Sequence, residues 1–158
     1  MRALGRRAVG RTDRLTLDGL DEEDGRVEAR AWLDVGPEAA ASGLARETLE
    51  TLVTLYGRAY PRVIDLAGKM AGGAERLCPS NPDIVAQLHL AVQDELTVSL
   101  QDFLLRRTGI GTSRCQGLDC AEAIARRMAH LLGWTPRRLA AELDAYYAHV
   151  ARSHKFKT

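Results

Sequence analysis

From Leu44 to Val150 the apolar residues recur at spacings of three to five, and glycine or proline stands at most of the interruptions. That period lines up side chains on one face of an α-helix, whereas a half-buried strand needs strict alternation. Leu44, Leu49, Leu52, Val53 and Tyr56 form a first stripe, followed by Gly57 where a helix closes in a left-handed residue. Val63, Ile64, Ala67 and Met70 form a second behind Pro61, until Gly72-Gly73 breaks it. Leu77-Cys78-Pro79-Ser80-Asn81-Pro82 reads as a loop, with Asn81 as N-cap of a third helix that starts at Pro82 and runs to about Glu95. Ile84, Val85, Leu88, Ala91 and Val92 are its buried face, and His89 lies beside it.

Ser99 with Asp102 predicts the cap of a fourth helix carrying Leu100, Phe103 and Leu104 and closed by Gly109. Asp119 with Glu122 repeats the pattern for a fifth, built on Ile124, Ala125, Met128, Leu131 and Leu132 and closed by Gly133. Thr135-Pro136 opens a sixth, with Leu139, Leu143, Tyr146, Tyr147 and Val150. Six helices without a convincing sheet predict an all-α compact bundle over residues 44–158. Residues 1–43 read as a linker-like, irregular segment, because Gly5, Gly10, Gly19, Gly25 and the run Asp21-Glu22-Glu23-Asp24 weaken any packed element. Residues 26–35 could make one short strand, but it would have no partner there and is left unassigned.

A chain of 158 residues is long enough for one domain with its own core. No apolar run approaches the roughly 18 to 20 residues of a membrane span, and the basic start Met1 to Arg7 is followed by too little apolar sequence for a signal peptide. A cytoplasmic protein is expected. The net charge of +1 hides an axis: residues 1–30 sum to 0, residues 31–105 to −5 and residues 106–158 to +6. A basic end can attract nucleic acid or anionic surfaces, but its aromatic residues do not interleave with the basic ones as a base-stacking surface requires.

The candidate chemistry is sparse. Cys78, Cys115 and Cys120 lack CxxC spacing and read as reduced small residues, Cys120 within the core. His89, His130, His149 and His154 stand singly, without the HExxH spacing that puts two ligands on one helix face. No metal site is expected. Ser42, Ser80, Ser99, Ser113 and Ser153 fall in linkers, at caps or near the end, so no nucleophile with a base is assigned. Gly109-Ile110-Gly111 has Arg114 where a dinucleotide fingerprint needs its third glycine, and it follows a helix, not a strand. Glu95 with Arg106 or Arg107 is the best candidate for an ion pair between helices, with an arginine reaching toward a ligand phosphate on another domain as the functional alternative. Ser99 to Arg114 can also be written as a helix-turn-helix. Bulky Leu105 before the turn and Gly117 in the would-be recognition helix oppose that reading.

Leu88 to Glu95, then Ser99-Leu100-Gln101-Asp102-Phe103-Leu104-Leu105-Arg106-Arg107-Thr108, then Leu131-Leu132-Gly133-Trp134, resemble in order and spacing the helical C-terminal domain of FAD-dependent glycerol-3-phosphate dehydrogenases and oxidases. Leu55-Tyr56-Gly57 extends the resemblance over residues 44–157, and Thr12 to Gly19 looks like the linker that leads into that domain. The resemblance implies a partner: an N-terminal FAD-binding domain that oxidises glycerol 3-phosphate to dihydroxyacetone phosphate and passes electrons to quinone or oxygen. It also implies peripheral association of the full enzyme with the inner face of the membrane. The flavin fingerprint is not found here, so no catalytic, cofactor-binding or metal residue is carried over; Glu95, Arg106, Arg107 and Trp134 stand as structural or interface candidates. The expected function is an accessory helical domain, inactive alone and without a cofactor of its own. The alternative is a helical nucleic-acid-binding or protein-interaction module using the basic C-terminal half. A domain built to pack on another should leave an apolar face uncovered, with Tyr146, Tyr147, Trp134 and Phe103 as candidates, and should form dimers or weak oligomers alone.

Overall fold

The structure, a computed structural model, describes residues 41–154; the readings of residues 1–40 lie outside them. Six helices and one small hairpin make up the described domain. The helices are α1 (Arg46–Tyr56), α2 (Tyr60–Lys69), α3 (Val85–Gln93), α4 (Leu100–Asp102), α5 (Ala121–Leu132) and α6 (Pro136–His154). The hairpin pairs β1 (Arg76–Cys78) with β2 (Asn81–Ile84) in antiparallel fashion.

The first two helices follow their stripes. Leu49, Leu52 and Val53 of α1 and Val63 and Ala67 of α2 are buried, and Gly57 takes a φ of 52° after α1. Gly73 matters for a different reason: a Cβ there would stand 2.7 Å from the Ala67 carbonyl, so the chain can fold back over α2 only without a side chain.

The expected loop at 77–82 is instead a hairpin, and the third helix begins three residues later than Pro82. Arg76 lies opposite Ile84 and Cys78 opposite Asn81, with an irregular register between. Two of the three β1 residues and three of the four β2 residues are buried, so no alternation announced the strands. Pro82 is tolerated because a two-stranded ribbon has only edges. Asn81 does not cap α3: the Val85 and Ala86 amides donate to the Glu75 and Gly73 carbonyls at 2.9 Å, and the Ile84 amide donates to Gln87 Oε1 at 2.8 Å.

Helix α3 lies between two apolar clusters. Leu88 and Ala91 pack into the larger with Leu100, Phe103, Leu104, Ile124, Met128 and Tyr146, while Ala86 and Leu90 pack into the smaller with Leu52, Val63 and Ala67. A helix buried on both sides carries apolar residues nearly all round.

Helix α4 starts as expected, with Ser99 Oγ accepting the Asp102 amide at 3.1 Å. A second cap arrives from the other end of the chain, because Glu142 Oε2 accepts the Leu100 amide at 2.8 Å. The helix then widens into a π-turn over Phe103–Arg107. Thr108, not Gly109, ends it: the buried Thr108 hydroxyl donates toward the Phe103 and Leu104 carbonyls at 3.3 and 3.2 Å. Gly109 has an ordinary φ of −79°. The glycine that the packing demands is Gly111, where a Cβ would sit 2.6 Å from the Leu104 carbonyl oxygen. The 3-10 turn Ile110–Thr112 occupies the place a recognition helix would take.

Asp119 does not cap α5; its carboxylate faces Cys78 and Ser80 instead. Gly133 closes α5 at φ 64°, and the Thr135 hydroxyl accepts the Arg138 amide at 3.2 Å to open α6. Phe103 and Tyr146, expected on an uncovered face, are fully buried; Trp134 is half-buried and Tyr147 exposed. Both buried rings fill the larger cluster, where the sixth helix closes over the fourth and fifth. Among the described residues no helix is long and apolar enough to cross a membrane.

Candidate functional site

The segments on either side of α3 hold the two groups of polar side chains that depart from ordinary packing. After α3, Asp94 to Val98 carries the chain to α4. Arg107 Nη1 lies 3.4 Å from Glu95 Oε2, and Arg107 Nη2 donates to the Glu95 backbone carbonyl at 3.3 Å. The expected Glu95 pair therefore forms with Arg107. Arg106 is drawn instead to Asp102 at 2.8 Å, one turn back on its own helix.

The Glu95 pair is incomplete. Its Oε2 makes the ionic contact without hydrogen-bond geometry, the buried Thr97 hydroxyl has no hydrogen-bond partner, and the buried Tyr56 hydroxyl has Gln87 as its one polar neighbour, short of strict hydrogen-bond geometry. Burial, then the nearby negative charge of Glu95, pushes the Tyr56 phenol up to about 12. Beside these groups Leu96 is 82% exposed and Val98 58%. Leu96 also holds a left-handed φ of 55°, a conformation costly for a side chain with a Cβ. Trp134 belongs to neither group. It lies at the α5–α6 joint, with the Arg138 guanidinium 6.0 Å from its ring centroid, within reach of a cation–π contact.

Before α3, the hairpin meets the loop that leads into α5. Cys78 Sγ lies 3.7 Å from Cys115 Sγ and 3.5 Å from Asp119 Oδ1. Cys120 Sγ completes a group with Cys78 and Asp119 whose ligand atoms all fall within 4.8 Å of one another. The buried Asn81 amide donates to Cys78 Sγ at 3.1 Å, to Cys115 Sγ at 3.2 Å and to Ser113 Oγ at 3.2 Å. The Gly117 amide adds a donor to Cys115 Sγ at 3.4 Å. The turn presenting these sulfurs is strained, with Gln116 at φ 47° and Gly117 at 67°. The Tyr146 hydroxyl pins it from α6, donating to the Gln116 carbonyl at 2.7 Å. Burial pushes the Cys78 and Cys120 thiols up. Desolvation alone would raise Asp119, but hydrogen bonds from Cys115, Ser80 and Cys78 together hold its carboxyl below the ordinary value.

The three cysteines expected to be independent thus converge. A signal was present in the spacing Cys115-x4-Cys120 around Gln116-Gly117, but the third sulfur comes from a hairpin that periodicity did not reveal. Asn81 and Asp119 carry the residue types of helix caps, which hides their inward roles. A surface cleft of about 340 Å³ lies along α1 and Pro82, lined by Glu47, Glu50, Thr51, Thr54, Leu55 and Gly109. Its two acids are paired, Glu47 to Arg76 and Glu50 to Arg46, so no free base faces a nucleophile there. Gly111 packs against Leu104 and Leu105, so Gly109-Ile110-Gly111 follows a helical turn and not a strand.

A family model described as the C-terminal domain of alpha-glycerophosphate oxidase matches residues 10–139. Glycerol-3-phosphate dehydrogenase of Synechocystis sp. is 27% identical over 122 residues, which are 77% of this chain and 22% of that protein. Alpha-glycerophosphate oxidase of Streptococcus pneumoniae serotype 4 is 32% identical over 130 residues, 80% of this chain and 20% of its own length. The chain spans about a fifth of the length of the curated relatives it matches.

Proposed function

Since the chain belongs to the family of the C-terminal domain of alpha-glycerophosphate oxidase, we propose that it is the helical accessory domain of an FAD-dependent glycerol-3-phosphate dehydrogenase or oxidase and does not catalyse alone. The match over residues 10–139, against only a fifth of each relative's length, carries this reading. In it, FAD and the oxidation of glycerol 3-phosphate to dihydroxyacetone phosphate, with electrons passed to quinone or oxygen, belong to a flavin domain. This chain supplies packing. The full enzyme then works in the cytoplasm or at the inner face of the membrane.

The corner after α3 is where the flavin domain docks in this reading. Support comes from the exposed Leu96 and Val98 lying beside two buried polar atoms, on Glu95 and Thr97, that lack hydrogen-bond partners. An arriving surface would cover the two apolar side chains, and the unpaired polar atoms beneath them mark a corner that can rearrange as it docks. The basic half gives less support to a nucleic-acid module, because Arg106, Arg126, Arg127 and Arg138 are paired with Asp102, Glu122, Glu75 and Glu142.

The test begins with an absorbance spectrum of the purified chain and glycerol-3-phosphate-dependent dye reduction. Neither flavin bands nor turnover is expected. Mixed with the flavin domain of a relative truncated before its own helical domain, the chain should co-elute with it, and Leu96→Asp should abolish co-elution while preserving helix content. Flavin bands with turnover in the isolated chain would overturn the reading. Nucleic-acid affinity that falls steeply with salt would favour the basic module instead.

A further inference from the structure

The geometry points to a second role for the hairpin side of the domain: we propose that Cys78, Cys115, Cys120 and Asp119 bind one zinc ion as a closed, tetrahedral structural site. The inference is independent of the function proposed above.

A tetrahedral zinc with Zn–S bonds of about 2.3 Å sets its sulfurs about 3.8 Å apart, and a sulfur and a carboxylate oxygen about 3.6 Å apart. Cys78 Sγ and Cys115 Sγ are 3.7 Å apart, and Cys78 Sγ and Asp119 Oδ1 are 3.5 Å apart. Both distances are edges of that tetrahedron. Cys120 Sγ lies within 4.8 Å of Cys78 Sγ and of the Asp119 carboxylate, a spread that small side-chain rotations can close. Cys115 Sγ joins this close group of three through its contact with Cys78 and must turn toward the other two ligands to complete a single-ion site, whereas a two-iron cluster would divide its ligands between two irons.

Without metal, burial keeps Cys78 and Cys120 as thiols, and the donors around the sulfurs are placed to support the thiolates that metal binding creates. A neutral thiol is a weak acceptor, yet the Asn81 amide donates to two of the sulfurs and the Gly117 amide to one. Donors aimed at ligating sulfur orient it and offset its negative charge. The site is also held from outside, since the buried Tyr146 anchors the Cys115–Gly117 turn to α6. Binding is an exchange of cations without redox change: Zn²⁺ enters, the three thiols release three protons, and the carboxylate is already ionised. Three thiolates and one carboxylate fill four positions, which leaves none open for water and makes the role structural.

The experiment uses the reduced full chain, stripped with a chelator and titrated with Co²⁺ and then with Zn²⁺. One Co²⁺ per chain should produce near-ultraviolet thiolate-to-cobalt bands and the strong visible bands of tetrahedral cobalt, and one Zn²⁺ should bleach both. Zinc should also protect all three thiols from a thiol reagent and raise the melting temperature. Asp119→Asn, at an exposed side chain, should keep the thiolate bands and weaken binding about 10-fold or more. Cys115→Ser should abolish tetrahedral binding. The unmodified chain decides the matter even if that variant fails to fold. Three freely reactive thiols in excess zinc, or cobalt spectra without thiolate bands, would overturn the proposal. So would a Cys78–Cys115 disulfide persisting in freshly reduced protein, or iron and inorganic sulfide retained in place of zinc.

Discussion

The polar group where the hairpin meets the loop into α5 and the polar group at the corner after α3 are both partly buried, yet they end in opposite conditions. At the hairpin, Asn81, Cys78, Cys115, Ser113 and Asp119 satisfy one another, and a hydroxyl from α6 closes the set. After α3, Glu95 Oε2 and the Thr97 hydroxyl are buried atoms without hydrogen-bond partners, and the chain passes through a left-handed Leu96 whose side chain stands in solvent. One region draws its groups together within its own chain and lacks only the proposed ion; the other leaves apolar side chains uncovered. Polar burial by itself therefore does not mark a site. What distinguishes the two is whether the chain supplies the partners.

The comparison is broken most forcefully at Tyr146. Tyr146→Ala removes a fully buried ring from the larger cluster and should cost about 3–5 kcal/mol in urea unfolding. Tyr146→Phe keeps the ring and loses only the bond to Gln116, so about 1 kcal/mol is expected. Equal losses from both changes would show that the ring contributes little. Asn81→Ala should cost about 1–3 kcal/mol, because it strands three acceptors in a buried place. On the other side of α3 the sign reverses. Leu96→Gly relieves the left-handed backbone and removes no buried apolar surface, so the isolated chain should gain about 1 kcal/mol while its affinity for the flavin domain falls. A loss of stability there would mean that Leu96 packs in solution.

Glu95→Gln sharpens the contrast at a smaller scale. The pair with Arg107 is long and partly solvated, so a change within about 1 kcal/mol is expected in thermal unfolding. The smallest effect is in pH. Burial, with the charges of Arg127 and His130, lowers His89 below its ordinary 6.5, so the folded state favours the neutral ring. Below 6.5 the unfolded chain takes up the proton more readily, and stability is lost as pH falls through that value. His89→Gln should flatten the melting-temperature profile in that window. Asp83, whose carboxyl burial pushes up from 3.8, acts in the opposite sense in a lower range, where its contribution fades as pH rises.

The helices were legible because burial there is periodic. Leu49, Leu52 and Val53 or Ile124, Ala125 and Met128 each mark one face; Gly133 ends its helix in the expected left-handed conformation, while Gly57 ends α1 at a positive φ with ψ −132°, outside that region. The hairpin was not legible, since nearly every residue in it is buried and its one polar anchor, Asn81, carries the residue type of a helix cap. The end of α4 misled for a related reason: a threonine hydroxyl did what a glycine usually does, leaving Gly109 without the role its identity promised. Of the candidate contacts, Glu95 with Arg107 could be anticipated from carboxylate and guanidinium at the ends of successive helices. The cysteine group could not, because it joins residues 37 apart through a fold element that the pattern concealed.

The dependence of the middle of the domain on α6 has a consequence for biosynthesis. Glu142 caps Leu100 and Tyr146 holds Gln116, so two earlier elements take their final partners from a helix translated after them. While the ribosome still holds residues 136–154, α1, α2 and α3 can gather around the smaller cluster. The start of α4 and the turn at Gln116 must wait. The nascent chain thus passes through a stage in which one half is settled and the other is open to chaperones, and translation speed near Thr135 bears on how long that stage lasts.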